Sequence, residues 1–316
     1  MQNRCFFNVL RKIKQRVVRL GERGYILMLH RVSEQDENGI TLNENMKVSP
    51  SFLDAFIAKL RCDYNIIGIN DIPAYLKQKT KQKFIVFTFD DGYRDNLINA
   101  LPIFERYGVP FTIFITSCFP NRNALLWWYS IADILLHHEK VVLSDGVIYD
   151  CSTYEKRNMA FEQIRSKVLS FNQLTLKDNL NSLFSDYNID WSVYCDELCL
   201  SWNEIRSLTE HPLVTIGAHT AHHYNLKELL SVTDVEHEIK ECIVDFQKNI
   251  QYTPFVFAYP FGSPKEIGKR EIGIVSQMEF SSACVGYGYG VKTNSNPYEL
   301  PRIAVLQNNI EAVLYE

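Results

Sequence analysis

Short apolar runs alternate with amphipathic stretches along the first third of the chain. The runs are rich in β-branched and aromatic residues, as buried strands are; they are YILMLH (25–30), NIIGI (65–69), KFIVFTF (83–89) and PFTIFIT (110–116). Helical patterns lie between them. One begins at Ser49 and Pro50, a capping residue followed by the proline that suits a first helical turn, and another covers residues 96–108. This alternation predicts a parallel sheet wrapped by helices.

The alternation stops after residue 116 and resumes near residue 215. The intervening sequence contains an apolar helical stretch (125–138), a predicted hairpin that turns at Asp145-Gly146 (141–150) and charged helical sequence (about 154–187). The later elements are TIGAHT (215–220), a helix near 233–248, PFVFAYP (254–260), a helix from 265, SSACV (281–285) and LPRIAV (300–305). We interpret residues of about 120–205 as an insertion in a single α/β barrel that covers residues 24–316.

The length and the cysteine content narrow the class of protein. A chain of 316 residues can form one large α/β domain. Its eight cysteines include no Cys-x-x-Cys pair and indicate no disulfide framework, so we expect reduced thiols. No apolar run approaches the ~20 residues needed to cross a bilayer, and no signal peptide is recognisable. We therefore expect the body of the protein in the cytoplasm.

The charge is unevenly distributed along the chain. The net charge is −4, yet residues 1–23 contain seven lysine and arginine residues against the single acidic residue Glu22. Apolar residues recur in this segment every three or four positions, at Phe6, Leu10, Ile13, Val17 and Leu20. We predict a basic amphipathic helix over residues 1–23, which either contacts the inner face of the cytoplasmic membrane or packs against the bottom of the barrel. Because the rest of the chain is acidic, we expect no nucleic-acid partner.

Two adjacent carboxylates, Asp90 and Asp91, follow directly after the apolar strand pattern of residues 84–89. Neighbouring carboxylates repel each other and lose hydration near a protein interior, so a buried pair needs a cation or strong hydrogen-bond donors. The alternative interpretation is an ordinary polar turn at Asp91-Gly92.

His219 and His223 lie four residues apart, just after another apolar run. On a helical turn or in a tight loop, side chains at this separation point the same way. Two imidazoles and one carboxylate form a ligand set suited to Zn²⁺ or a related divalent ion, with one position open for water. If Asp91 joins the histidines on such an ion, Asp90 is free to take a proton from that water. The alternative is a surface loop that collects histidines, since His222 stands between the two.

At these residues the chain resembles the polysaccharide deacetylase family, also called the NodB-homology or carbohydrate esterase 4 family. TFDDGY (88–93) resembles the first motif of the family, HTAHH (219–223) its His-Ser/Thr-x-x-His motif and FAYPFG (257–262) its third motif. The resemblance extends over roughly residues 24–305, apart from the insertion. It implies a distorted (β/α) barrel and a metal-dependent hydrolase that removes acetyl groups from N-acetylated sugars.

The resemblance also implies roles for individual residues. Asp90 corresponds to the general base of the family, and three residues correspond to its ligands for a divalent metal, expected to be Zn²⁺: Asp91, His219 and His223. Phe261 stands at the position whose backbone N–H helps to hold the oxyanion. The family often has an arginine that orients the catalytic aspartate, but Ala258 occupies that place here. We assign this role to Arg302, for which a surface position is the alternative.

The late histidine that acts as general acid in many relatives is also absent, because no histidine follows His237. His30 ends an apolar strand pattern, where barrel active sites are assembled. It resembles the N-terminal histidine of the poly-N-acetylglucosamine deacetylases, in which that residue is the acid; a purely structural histidine is the alternative. The aromatic residues Trp127, Trp128 and Tyr129 either stack on sugar rings or pack the insertion.

The resemblance implies an N-acetylated glycan or a lipid-linked sugar as substrate, in the biosynthesis of cell-surface polysaccharide. Two other functions stay open: a metal-dependent amidase acting on a non-sugar amide, and a catalytically inactive sugar-binding module. The complete set of ligand residues and the presence of Asp90 favour an enzyme.

Overall fold

The structure is a computed structural model and describes residues 21–307. Its strands, in chain order, are β1 (Glu22–Leu29), β2 (Arg31–Val32), β3 (Lys47–Val48), β4 (Asn65–Ile66), β5 (Phe84–Phe89), β6 (Phe111–Ile115), β7 (Lys140–Val142), β8 (Ile148–Asp150), β9 (Val214–Ala218), β10 (Val256–Ala258), β11 (Ser282–Cys284), β12 (Val291–Lys292) and β13 (Arg302–Ala304).

The α-helices, in chain order, are α1 (Thr41–Glu44), α2 (Pro50–Asp63), α3 (Ile72–Lys77), α4 (Leu101–Tyr107), α5 (Trp127–His137), α6 (Tyr154–Leu169), α7 (Leu176–Leu183), α8 (Cys195–Leu198), α9 (Trp202–Thr209), α10 (Val232–Ile250) and α11 (Lys269–Val275). Single turns of 3₁₀-helix lie at Ile69–Asp71, Gln173–Thr175 and Leu226–Glu228, and a π-helical turn at Asn96–Ala100 leads into α4.

A nine-stranded sheet organises the fold. Its strand order is β11-β10-β9-β6-β5-β1-β12, with β13 also paired to β1 and β4 to β5. These pairings are parallel except the one between β1 and β12. Just before β13, Leu300 donates to the carbonyl of Ala283 at 2.9 Å and accepts from the N–H of Val285 at 3.0 Å, so this segment links the β11 edge to β1. The sheet therefore curls, and the predicted distorted (β/α) barrel is confirmed.

The two faces of the curled sheet bury different apolar clusters. Phe84 and Phe114 belong to a cluster on the inner face, whereas Phe87 packs outward at 5.2 Å between ring centroids from Phe104 of α4. Glycines make room for the inner rings: a Cβ on Gly24 would lie 2.3 Å from Phe84. The alternation of side chains along each strand thus fills both the barrel interior and the layer under the helices.

Most of the predicted helices are confirmed, with differences at their ends. The helix at Ser49 begins as predicted, because the Ser49 hydroxyl accepts from the N–H of Phe52 at 3.1 Å. The helix predicted from residue 265 begins at Lys269, since the carboxylate of Glu271 accepts from the N–H of Gly268 and fixes the start there. The strand predicted over 65–69 ends at Ile66, because Ile69 turns inward to the barrel interior as part of a 3₁₀ turn.

Residues 120–205, predicted as an insertion, form helices and a hairpin with an apolar cluster of their own. The hairpin predicted at Asp145-Gly146 is confirmed as β7 and β8, with Gly146 at a φ of +83°, a value that favours glycine. The cluster joins α5, α6 and α7, and Phe261 of the barrel packs against it. Residues 120–205, for which we keep the name insertion, therefore lie against one end of the barrel.

The predicted N-terminal helix falls mostly on residues 1–20, which lie outside the described residues. Its predicted end at residue 23 is wrong, because Glu22 and Arg23 belong to β1. Glu22 pairs with Lys292 of β12 and accepts from the N–H of Gly290 at 3.1 Å and from the Tyr25 hydroxyl at 2.9 Å. Between residues 21 and 307, we find no helix with the length and apolar character needed to span a membrane.

Candidate active site

The predicted site residues converge at the carboxyl ends of the parallel strands. His30 follows β1, Asp90 and Asp91 follow β5, and His219 follows β9. Phe261 lies three residues beyond β10. The carboxyl ends of the strands are where barrel folds assemble their active sites.

Asp91, His219 and His223 form a compact buried set. The Oδ1 atom of Asp91 lies 3.4 Å from Nε2 of His219 and 3.2 Å from Nε2 of His223, and one ligand atom from each residue can be chosen so that all lie within 4.8 Å of one another. Although buried, Asp91 Oδ1 has no hydrogen-bond partner among the described residues. Burial alone would raise the pKa of Asp91, but the imidazoles of His223 and His219 outweigh burial and hold the pKa well below its usual range.

The hydrogen bond of the other ring nitrogen of His219 is also consistent with a metal-ligand role for Nε2. His219 Nδ1 donates to the carbonyl of Ala258 at 2.7 Å, which leaves Nε2 as the free lone pair on the side of Asp91. An unpartnered carboxylate oxygen that faces two imidazole nitrogens is the donor set expected for a divalent ion. These three residues therefore fit a metal site.

The HTAHH motif is a tight loop rather than a helical turn. Thr220 and His223 have φ values of 69° and 59°, and Asp91 and Phe261 share this left-handed region at 74° and 59°. Such backbone conformations are costly for residues other than glycine and cluster at functional sites. The Thr220 hydroxyl accepts from the N–H of His223 at 3.1 Å, which stabilises the loop.

His222 does not belong to the set. Its Nδ1 lies 2.8 Å from a carboxylate oxygen of Glu238, and its N–H donates to the other oxygen at 2.6 Å. His219, by contrast, is 1% exposed. The alternative of a surface loop that merely collects histidines is therefore wrong.

Asp90 and Arg302 form a buried ion pair. The Arg302 guanidinium donates to both carboxylate oxygens of Asp90, at 2.6 Å and 2.7 Å, and also to Thr88 Oγ1 and the carbonyl of Val285, each at 3.2 Å. Burial alone would raise the pKa of Asp90, but the charge and hydrogen bonds of Arg302 outweigh burial and lower it. Arg302 is 1% exposed, so the alternative of a surface arginine is wrong.

His30 lines the same site as the ligand set. Its ring forms no hydrogen bond within residues 21–307, while its carbonyl accepts from the side-chain amide of Asn96 at 2.9 Å. Burial lowers the pKa of His30, although the carboxylates of Asp91 and Asp90 oppose this shift. Burial therefore favours the neutral imidazole and makes the protonated form of His30 a stronger acid than free histidine.

A cavity of about 140 Å³ opens beside these residues, with Asp91, His30 and His223 on one side. Aromatic side chains form much of its wall: Tyr93, Trp127, Trp128, Tyr129, Phe161 and Phe261. Cavities of about 150 Å³ admit a ligand the size of benzene. The cavity can therefore receive a small organic group such as an acetamido group with part of a sugar ring.

Comparison with known proteins identifies the family. The family described as Polysaccharide deacetylase matches residues 77–280, which is more than half of the chain. The chain belongs to the polysaccharide deacetylase family. The predicted enzyme class, a hydrolase acting on carbon–nitrogen bonds, is thereby confirmed at the level of the family.

Solved structures of deacetylases share the fold over almost the entire chain. The Streptococcus pyogenes deacetylase PplD, in complex with acetate, matches with a TM-score of 0.61 at 15% identity, over 93% of this chain and 98% of PplD. IcaB from Ammonifex degensii matches with a TM-score of 0.58 at 14% identity, over 92% of this chain and 97% of IcaB. YxkH of Bacillus subtilis (strain 168) is 45% identical over 38 residues, which are 12% of this chain and only 14% of YxkH.

The deacetylase barrel and its insertion bring together residues that sequence reasoning missed. Arg31 donates to Asp95 at 2.8 Å and to the Tyr129 hydroxyl at 3.0 Å, and its guanidinium lies 5.0 Å from the ring centroid of Tyr93. This network ties the end of β1 to α5 of the insertion. Two features of the sequence could have indicated these residues: Arg31 directly follows His30, and Tyr93 is the last residue of the TFDDGY motif.

Trp127 and Trp128 combine the two roles that the sequence left open. Both line the cavity, yet Trp127 is only 3% exposed and belongs to the apolar cluster of the insertion. The Trp128 ring lies 5.7 Å from the ring of His223. Trp128 is thus the tryptophan nearer to the ligand set that a sugar ring could contact.

Proposed function

We propose that this protein is a metal-dependent N-deacetylase that acts on an N-acetylated sugar in a polysaccharide or a lipid-linked glycan, in the biosynthesis of cell-surface polysaccharide. The single observation that carries the proposal is the buried set of Asp91, His219 and His223 beside the Asp90–Arg302 pair. The fold shared with the deacetylase PplD, whose structure contains acetate, supports it further.

Three residues would hold the metal: Asp91, His219 and His223. Two imidazoles and one carboxylate suit Zn²⁺. A bound ion would supply Lewis acidity toward the acetamide carbonyl and would acidify water.

The other residues would move protons and stabilise charge. Asp90, kept ionised by Arg302, accepts a proton from the attacking water as its oxygen bonds to the acetamide carbon. The N–H of Phe261 donates to the oxyanion that develops on the carbonyl oxygen. His30 in its protonated form donates to the amine nitrogen as the carbon–nitrogen bond breaks, and acetate and the free amine leave.

The aromatic wall of the cavity favours a sugar over a non-sugar amide, because flat apolar faces suit the faces of sugar rings. The Asp90–Arg302 pair disfavours an inactive binding module, because it holds an ionised carboxylate beside the ligand set, as a general base requires.

Acetate release from a panel of N-acetylated oligosaccharides and lipid-linked sugars tests the proposal directly. Asp90→Asn should keep the metal but lose deacetylation, because an amide cannot accept the proton of water. The expected result is unchanged metal content with turnover reduced at least roughly 100-fold. Near wild-type acetate release by Asp90→Asn would show that another residue is the base.

We also propose that the basic N-terminal segment attaches the enzyme to the inner face of the cytoplasmic membrane, where lipid-linked sugars would be met. Its basic residues and its apolar stripe support this, as in interfacial helices. Binding to anionic liposomes should weaken with salt and disappear in the double variant Leu10→Glu/Ile13→Glu, with the melting temperature unchanged.

The competing interpretation places the same segment at the bottom of the barrel. A groove of about 570 Å³ lies there, lined by apolar residues that include Ile72, Leu76 and Phe255. Thr293 also lines it, next to Lys292, which pairs with Glu22 where the chain enters β1. The membrane proposal would be refuted if the wild-type enzyme did not bind liposomes at low salt and the double variant melted at a lower temperature than the wild type.

A further inference from the structure

Arg165 is a cation in the cavity with no anionic partner among residues 21–307. It lies on α6 of the insertion and lines the cavity together with Asp91 and His223. Its guanidinium forms no hydrogen bond and no ion pair with any residue from 21 to 307. Its guanidinium carbon lies over the ring of Phe261, 5.9 Å from the ring centroid.

This environment is unfavourable for an arginine that has no ligand. A guanidinium carries five N–H donors and loses hydration when it is half-buried. Burial lowers the pKa of Arg165, against the opposing effect of the carboxylates of Glu266 and Glu162. Both carboxylates lie beyond ion-pair distance, and Glu266 accepts a hydrogen bond from the Ser263 hydroxyl instead. The donors of Arg165 are therefore left available to the cavity.

We propose that Arg165 binds one anionic group, a phosphate or a carboxylate, carried by the acetylated sugar or by the residue linked to it. The planar guanidinium pairs with two oxygens of such a group. The Phe261 ring lies near both groups: its centroid is 5.9 Å from the guanidinium carbon of Arg165 and 4.7 Å from the ring centroid of His223. The anion site is therefore close enough to the ligand set for a single sugar ring to reach both.

The surroundings indicate one negative charge rather than many. At Arg165 and Leu42 the cavity meets a groove of about 420 Å³. Three carboxylates and one ammonium group line that groove beyond Arg165: Glu162, Glu228, Glu266 and Lys265. A polyanionic chain would be repelled there, whereas a neutral extension would not. The expected substrate is therefore a glycan with one anionic substituent next to the acetamido group.

This inference rests on the proposed function, and kinetics with matched substrates test it. The substrates are an N-acetylated hexosamine 1-phosphate, an N-acetylated disaccharide that contains a uronic acid, and the neutral N-acetylated disaccharide. Arg165→Gln should lower kcat/KM for at least one anionic substrate by roughly 10- to 100-fold, mainly through KM, and leave the neutral substrate unchanged. The substrate that responds distinguishes phosphate from carboxylate.

Two further variants serve as controls. Arg165→Lys keeps the charge but loses the two-pronged geometry, so it should recover part of the affinity. Lys156→Gln removes a charge from the same helix at an exposed position that pairs with Asp150, and it should change none of the three rates. Equal losses on neutral and anionic substrates in Arg165→Gln, or no loss on either, would overturn the inference.

Binding measured without catalysis separates this inference from the proposed function. Titration calorimetry of the metal-loaded enzyme with the deacetylated forms of the sugar phosphate and of the uronic acid disaccharide, which cannot be turned over, should show binding that Arg165→Gln weakens by the same factor. If the wild-type enzyme releases acetate from no substrate, the proposed function fails, and the calorimetry alone decides for or against the anion site. Equal binding by the wild-type enzyme and both Arg165 variants would refute it.

Discussion

The ion pair between Asp90 and Arg302 should be required both for stability and for the charge state of the proposed base. The change that tests this is Arg302→Met, which keeps an unbranched apolar side chain of similar reach and removes every donor. It leaves the Asp90 carboxylate, 2% exposed, without the two hydrogen bonds of 2.6 Å and 2.7 Å that it now accepts.

The size of the effect follows from the burial of both partners. The side chains of Arg302 and Asp90 are 0% and 3% exposed. Removing one partner of such a pair costs roughly 3–5 kcal/mol, because the other charge remains buried and uncompensated. For a chain of 316 residues, that loss corresponds to a fall of roughly 5–8 °C in melting temperature.

The pH dependence has a definite sign. In the wild-type enzyme the pKa of Asp90 lies below its ordinary value, so its base form persists as the pH falls. Without Arg302, the effect of burial is no longer opposed by the guanidinium, so the pKa of Asp90 rises. A carboxyl group whose folded-state pKa is raised destabilises the protein at high pH and ceases to do so as the pH falls. The difference in melting temperature between wild type and Arg302→Met should therefore be large at pH 8 and smaller at pH 5.

Thermal melts at both pH values, together with pH profiles of acetate release, measure these effects. The acid limb of the activity profile should move to higher pH in Arg302→Met. The double variant Arg302→Met/Asp90→Asn should regain much of the stability, since no charge remains buried, while staying inactive. Arg106→Met is the matched control, because Arg106 pairs with Asp54 at the surface with 60% and 36% exposure and should contribute little. If Arg302→Met melts like Arg106→Met at pH 8 and its acid limb does not move, the reasoning is refuted.

Two further predictions concern the metal and the acid. His219→Ala and His223→Ala should each reduce the content of divalent ion, measured by elemental analysis, from about one per chain to near zero. His222→Ala is the control and should keep the ion, because the His222 imidazole pairs with Glu238. Full occupancy in the double variant of His219 and His223 would contradict the ligand assignment. His30→Ala should lower turnover by roughly 100-fold or more and remove the alkaline limb of the pH profile of acetate release. In the wild-type enzyme that limb is expected because activity is lost as the pH rises through the lowered pKa of His30. An unchanged pH profile in His30→Ala would leave His30 only a structural role.

The strands that carry the site were predictable because their signal is local. Buried parallel strands are short continuous apolar runs, and each run here ends in a polar residue at the edge where the site forms. Asp90, Asp91 and His219 could therefore be placed at one end of the barrel from the sequence pattern.

Other parts of the site depend on contacts that no local pattern contains. The sequence could not show that α6, far along the chain in the insertion, brings Arg165 to the cavity, because this depends on how the apolar cluster of the insertion packs. The network of Arg31, Asp95 and Tyr129 also joins three separate segments. The role of Arg302 in orienting Asp90 was predictable only from family resemblance. Its position inside the barrel follows from the pairing of β13 with β1.

The two adjacent carboxylates at the end of β5 have different partners. Asp90 has a permanent partner, because Arg302 is part of the chain and its guanidinium accounts for both carboxylate oxygens. Asp91 has instead two neighbouring imidazoles, and its Oδ1 has no hydrogen-bond partner within residues 21–307. One carboxylate is therefore neutralised by the chain itself, and the second would be neutralised by the proposed metal ion. This division explains why adjacent aspartates are tolerated in a buried position, and it predicts that a chelator would impair the proposed metal site while leaving the Asp90–Arg302 pair in place.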